Sequence, residues 1–158
     1  MTRNSTASKD ALVERSASNA RRVREFHDAI GERAPDSPTF PGKDLLALRR
    51  KLIEEENAEV MEALDGLADA SGASDEERES RLAAAAHELA DLLYVTYGAL
   101  VWFGIDADEV FAAVHSANMR KATGPKRADG KQLKPPGWQP ADVAGVVAGL
   151  RRDPRTED

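Results

Sequence analysis

Four acidic residues stand out by type and spacing: Glu55 and Glu59, four apart, and Glu88 and Asp91, three apart. On a helix of roughly 100° per residue, positions three apart leave within about 60° of each other, so each pair projects from one face. The second pair lies in Leu82–Phe103, LAAAAHELADLLYVTYGALVWF, where Glu88 and Asp91 are the only charged residues. A helix apolar on nearly every side is expected to be buried, and isolated carboxylates in it are costly unless paired. No lysine or arginine falls inside the run, so a bound cation is the most economical partner.

The elements that must position these acids are helices. The chain has 158 residues, 32% charged and only 5% aromatic, enough for one domain with a real core. The expected fold class is all-α, a bundle of four to five helices assembling as a homo-oligomer. Leu82–Phe103 is long enough to span a bilayer, but two acids, a histidine and six alanines argue against it. Without cysteine there are no disulfides or thiolate metal sites. The polar opening MTRNSTASKD has no signal-sequence character, so a cytoplasmic protein is expected.

Residues 1–9 read as disordered, 10–150 as a single domain, and 151–158 as a frayed end. Helical spacing begins near Asp10, is clearest at Val23, Phe26 and Ile30, and stops at Gly31. A loop follows at 35–42, with three prolines. A second helix is predicted over about 43–67, with an apolar stripe Leu45, Leu48, Leu52 continued by Glu55, Glu59 and Ala63. A neighbouring row, Ile53, Val60, Leu64 and Leu67, has Glu56 in its gap. Residues 66–72 form a polar connection, and Ser74 with Glu77 has the form of a capping box. Gly104 ends that third helix. Asp106 to Glu109 is a second capping box, opening a helix to about Lys121 with Val110, Phe111, Val114 and Ala117 inward. A short helix is expected over 140–150 with Pro140 at its first position.

Packed antiparallel, the second and third helices bring four carboxylates together, with Glu56 at the edge. Such oxygen-only sites suit Mg²⁺, with Mn²⁺ a possible substitute. A glutamate run such as EEENAE is by itself most often a solvated helix face, and the apolar setting of Glu88 and Asp91 argues otherwise here.

Net charge is −6, yet Arg120 to Lys134 holds six basic residues against Asp129 alone, a +5 segment that overlaps a Gly- and Pro-rich arm at 123–140. The overall charge argues against nucleic-acid binding. Metal beside flexible cations is apparatus for holding a polyphosphate. Tyr94, one turn past Asp91, is a pocket candidate. Trp138 is read either as a cap on a nucleotide pocket or as an anchor for the arm. His87 reads as structural or supporting rather than a ligand, and His27 and His115 as structural or partly exposed.

The pattern E-E-x-x-E (Glu55, Glu56, Glu59) followed by E-x-x-D (Glu88 to Asp91) resembles the MazG-like all-α nucleoside triphosphate pyrophosphohydrolases. REFHDAIG (24–31), ELADLLYVTYG (88–98), N-M-R-K (118–121) and DGKQLKPPGW (129–138) are similar to members with dUTPase activity. The resemblance implies Glu55, Glu59, Glu88 and Asp91 as metal ligands. It makes Glu56 a further ligand or the catalytic group orienting the attacking water. Asn118 and Lys121 would contact sugar or phosphates, with Lys126, Lys131 and Lys134 as further candidates. It implies a nucleoside triphosphate substrate, dUTP first, and a homodimer or dimer of dimers. The alternatives are another nucleotide such as phosphoribosyl-ATP or a modified dNTP, and a non-catalytic helical interaction module stabilised by metal. A di-iron protein of the Glu-x-x-His kind fits less well, because the matching spacing here gives Glu88 to Asp91.

Overall fold

A computed structural model describes residues 18–151. The expectations for 1–9, for a helix beginning before residue 18 and for fraying beyond 151 lie outside the described residues. Five α-helices run in order: α1 (Asn19–Ala29), α2 (Lys43–Ala68), α3 (Asp75–Trp102), α4 (Ala107–Met119) and α5 (Val143–Leu150). No strand forms among the described residues, and the all-α expectation holds. Among them, no single helix is long and apolar enough to cross a membrane.

α2 and α3 form a long hairpin, and α1 packs across α3. The hairpin turn is tighter than expected. Residues 66–68 stay helical, and a 3₁₀ turn over Asp69–Gly72 completes the connection. Ser74 and Glu77 then close a full capping box, the Ser74 hydroxyl accepting from Glu77 N and the Glu77 carboxylate accepting from Ser74 N at 2.9 Å. Two of the four orphan N–H groups at that helix start are thereby satisfied. Asp106 caps α4 by accepting from Asp108 N and Glu109 N; no return bond from Glu109 is present among the described residues. The chain turns by 114° between α3 and α4. Gly104, at φ +65°, makes that corner, and a Cβ there would lie 1.9 Å from Ser37 O. Thr39 N donates to Phe103 O at 2.9 Å beside it, so the 35–42 loop is laid against the end of α3.

The inward faces differ from the expected ones in several places. On α1 the buried pair is Val23 and His27, whereas Phe26 and Ile30 are about half exposed. On α2 the expected stripe turns outward at Leu48, and the inner row contains Arg49, half-buried Ile53 and Glu56, and buried Val60. α3 is not enclosed: Leu82, Leu89, Leu93 and Tyr94 are 59%, 44%, 56% and 40% exposed, because α1 and α2 cover only one side of it. α4 ends at Met119, not Lys121, and leaves Phe111 and Val114 exposed while burying Ala117. Pro140 does not begin the last helix; Asp142 caps it by accepting from Gly145 N, and α5 starts at Val143.

Where α1, α2 and α3 meet, Val23, Ala34 and Val101 form a core cluster against Tyr97 and Trp102. Two polar side chains are buried beside it, His27 and Arg49. The Arg49 guanidinium lies 5.4 Å from the Trp102 ring centroid, and its Nε has no hydrogen-bond partner. Trp102 Nε1–H points at His27 Nδ1 at 3.3 Å, and a Glu32 carboxylate oxygen lies 3.3 Å from the same nitrogen. Burial, then the neighbouring Arg49 charge, pushes the His27 pKa down. The lowered pKa favours the neutral imidazole, whose Nδ1 accepts from Trp102 Nε1–H.

Candidate metal centre and basic arm

The α2–α3 hairpin gathers three carboxylates. Glu56, Glu59 and Glu88 each offer an oxygen within 4.8 Å of the others. Asp91 adds its field from the next turn, and together these charges act on Glu59. Its pKa is raised, first by Glu56, then by desolvation, Glu88, a hydrogen bond to Glu88, and Asp91. Glu56 and Glu88 are half-buried, and Glu59 is exposed.

The pairing differs from the expected one. Glu55, taken as partner to Glu59, lies on the outer side of α2, where Lys51 Nζ is 3.4 Å away. Glu56, expected at the edge, belongs to the cluster, three residues from Glu59 as Glu88 is from Asp91. The two i, i+3 pairs thus meet across the hairpin. Arg49, seven residues before Glu56 and so on the same face, is the signal that the row through Ile53 and Val60 is the inner one. A pattern built from hydrophobic residues alone passes over it.

Asp91 carries a further contact. His87 Nε2 lies 3.3 Å from Asp91 Oδ2, with the imidazole largely in solvent. Tyr94 packs edge-on against Phe26, ring centroids 5.9 Å apart, and burial raises its hydroxyl pKa. His115 is exposed.

Beyond α4 the arm is more ordered than a flexible tail. Trp138 Nε1–H donates to Ala117 O at 2.7 Å. Lys121 Nζ lies 5.1 Å and Lys134 Nζ 4.4 Å from the Trp138 ring centroid. Lys121 Nζ also donates to Asn118 Oδ1 at 2.6 Å. These four expected site residues come together. Lys126 and Lys131 instead sit on the exposed turn of the arm, where Lys126 forms an antiparallel bridge with Gln132 and Asp129 pairs with Arg127. Gln132 itself, which no sequence pattern singles out, donates through Nε2 to Lys121 O at 2.8 Å and to Gly124 O.

A cavity of about 460 Å³ lies elsewhere, between α1 and the α3–α4 corner, lined by Arg21, Arg24, Asp36 and Asp106 among others. None of the expected site residues borders it. Its arginines already have acceptors: Arg24 donates to Pro35 O at 2.9 Å and to Asp36, and Arg21 pairs with Glu25.

An oxygen-only set of mutually repelling carboxylates fits a hard divalent cation. The family model for phosphoribosyl-ATP pyrophosphohydrolase matches residues 23–118, well over half of the chain, and takes in all of the acids while ending as the arm begins. No curated protein matches the sequence. The chain belongs to the phosphoribosyl-ATP pyrophosphohydrolase family, among the MazG-like all-α pyrophosphohydrolases.

Proposed function

We propose that the protein hydrolyses a nucleoside triphosphate between its α and β phosphates, with dUTP first among substrates, giving dUMP and pyrophosphate. The observation that carries this reading is the carboxylate cluster of Glu56, Glu59 and Glu88, with Asp91 beside it, in a chain of a pyrophosphohydrolase family. MazG-like pyrophosphohydrolases are metal-dependent. Glu56, Glu59, Glu88 and Asp91 would hold Mg²⁺, with Mn²⁺ as substitute, and Glu55 would join only by turning away from Lys51. A divalent ion held there would supply the polarisation of phosphoryl oxygens and the acidification of a water that the hydrolysis needs.

The chain's own groups supply the rest. Glu56 accepts a hydrogen bond from the attacking water and takes its proton as the water oxygen bonds to phosphorus. The bridging P–O bond breaks and its electrons leave with pyrophosphate. Asn118, Lys121 and Lys134 share the charge on the phosphates, with Lys126 and Lys131 as outlying cations. Tyr94 lines the nucleoside side of the site. A homodimer, or a dimer of such dimers, covers the exposed Leu82, Leu89 and Leu93 face of α3. The preference for dUTP is supported by the segments 88–98 and 118–121. A second reading, phosphoribosyl-ATP as substrate, is favoured by the family description itself.

Chromatographic separation of the products from dUTP, dTTP, dCTP, ATP and phosphoribosyl-ATP, each with Mg²⁺ or Mn²⁺, tests both. The expected result is pyrophosphate and dUMP from dUTP, with dTTP slower by about 10–200-fold, the scale of discrimination against one methyl group. Orthophosphate as the first product would refute the reaction, and faster turnover of phosphoribosyl-ATP would replace the substrate.

A further inference from the structure

We infer that Gln132 and Trp138 are positioning residues, a two-point clasp that turns the basic arm into a preorganised phosphate-holding site centred on Lys121 and Lys134. The inference rests on the triphosphate reading for its biological substrate, but the clasp itself stands on the arm's geometry.

The last carbonyls of an α-helix lack partners within the helix. Ala117 O, in the last turn of α4, is buried with its residue and takes the Trp138 indole N–H at 2.7 Å. Just past the helix, Lys121 O and Gly124 O take the Gln132 side-chain amide. Arg120 Nη2 donates to Gln139 O at 3.2 Å beside Trp138. Between these points the arm folds back on itself, with Leu133 N donating to Pro125 O and Arg127 N to Lys131 O, both at 2.8 Å. The fold-back demands glycine at 124, where a Cβ would lie 2.2 Å from Leu133 O.

The consequence is electrostatic. Lys121 and Lys134 are separated by a dozen residues, yet both ammonium groups are held within cation–π reach of one ring. Neither pairs with a carboxylate among the described residues; Lys121 has the neutral Asn118 oxygen instead. Two like charges near one ring repel, the ring attracts both, and a phosphate oxyanion drawn to them adds further compensation. Lys126 and Lys131 stand outside this arrangement. The clasp therefore assigns unequal roles to the arm's lysines, and it names Gln132 as the residue that keeps the two effective ones in register. Ordering them before the ligand arrives removes an entropy cost from binding.

Gln132→Glu places a carboxylate against two carbonyl oxygens, leaving acceptors without a donor. Gly124→Ala opens the same fold-back without changing charge, and Trp138→Phe keeps the ring but removes the N–H. The full-length chain and each variant are digested with trypsin, with and without inorganic tripolyphosphate in metal-free buffer. In parallel, KM and kcat are measured for Mg²⁺-dependent pyrophosphate release from dUTP, and circular dichroism confirms that the helices are kept. In the native chain tripolyphosphate should slow cleavage at Lys121 and within the arm. Gln132→Glu and Gly124→Ala should abolish that protection and raise KM on the order of tenfold, the scale of one charge-assisted contact, with kcat within about twofold. Trp138→Phe should fall between. Unchanged protection and KM in both Gln132→Glu and Gly124→Ala, or an arm that opens while KM stays put, would overturn the clasp even if the enzyme hydrolyses dUTP. Loss of tripolyphosphate protection in the variants of a chain that cleaves no nucleoside triphosphate would uphold the clasp and reject the proposed reaction instead.

Discussion

The acid cluster and the basic arm solve opposite versions of one problem, how to keep like charges close. In the cluster, helix geometry does it. Glu56 and Glu59 on α2 and Glu88 on α3 are fixed by turns stabilised elsewhere, and the repulsion shows in the raised pKa of Glu59. In the arm there is no regular element. Lys121 and Lys134 meet because Trp138 and Gln132 donate to carbonyls left open by α4 and the turn beyond it. A site on helices is rigid whether occupied or not; a site held by a few side-chain bonds can be loosened by removing one of them. This contrast makes the arm the part whose order a single substitution can undo and the cluster the part whose geometry the helices keep.

The largest expected effect breaks the rigid half. Glu59→Gln or Asp91→Asn should lower turnover at least 100-fold, since even groups that only support a metal ligand are worth 10–100-fold. Both variants should fold, and near-native activity in either would remove the cluster from the chemistry. Next, Lys121→Ala should raise KM about tenfold with little change in kcat, the loss of one contact to a charged group. A fall in kcat at constant KM would place Lys121 at the reacting bond rather than in a phosphate-holding arm.

Arg49 extends the comparison to a cation that helices hold with no ion pair among the described residues, the Glu32 charge acting on it only from a distance. Its guanidinium is buried over Trp102 with Nε unsatisfied, and burial lowers its pKa. Arg49→Met should be neutral or stabilising by about 1 kcal/mol, as for other buried charges replaced by apolar groups. A drop of that size in thermal melting would mean that the charge itself is structural. The smallest effect concerns His27. Its folded pKa lies below the unfolded value of 6.5, so as pH falls below 6.5 the unfolded chain binds a proton that the folded one resists. Stability should fall there by up to about 1.4 kcal/mol per pH unit, and His27→Gln should flatten that part of a melting-temperature profile.

These two halves were not equally legible in the sequence. The lengths of α2 and α3 and the Ser74–Glu77 box follow from local periodicity and capping, which is information carried within a few residues of itself. The inner face of α2 does not. Leu45, Leu48 and Leu52 point to one stripe, but the row actually packed begins with a buried arginine, and choosing it moves Glu56 into the cluster and Glu55 out to Lys51. A run of three glutamates offers either choice, and only contact with α3 decides between them. Leu82–Phe103 misleads in a related way. Its apolar composition implies enclosure, whereas one chain covers a single side and leaves Leu89 and Leu93 exposed. In the arm, charge and composition mark the cations, but Gln132 acts on carbonyls that only the folded-back chain brings to it. No spacing rule reaches such a residue.

The claim at the centre of this account is that the α2–α3 carboxylates are arranged for a cation. The most direct measurement is the thermal unfolding of the native chain and of Glu59→Gln at pH 7 as Mn²⁺ is titrated in, without nucleotide. The native chain should be stabilised progressively, by about 2.7 kcal/mol at a hundred times the dissociation constant. Glu59→Gln should start from an equal or higher melting temperature, because one repelling charge is gone, and should respond far less to the ion. A native chain indifferent to Mn²⁺, or a variant that responds just as strongly, would contradict the claim.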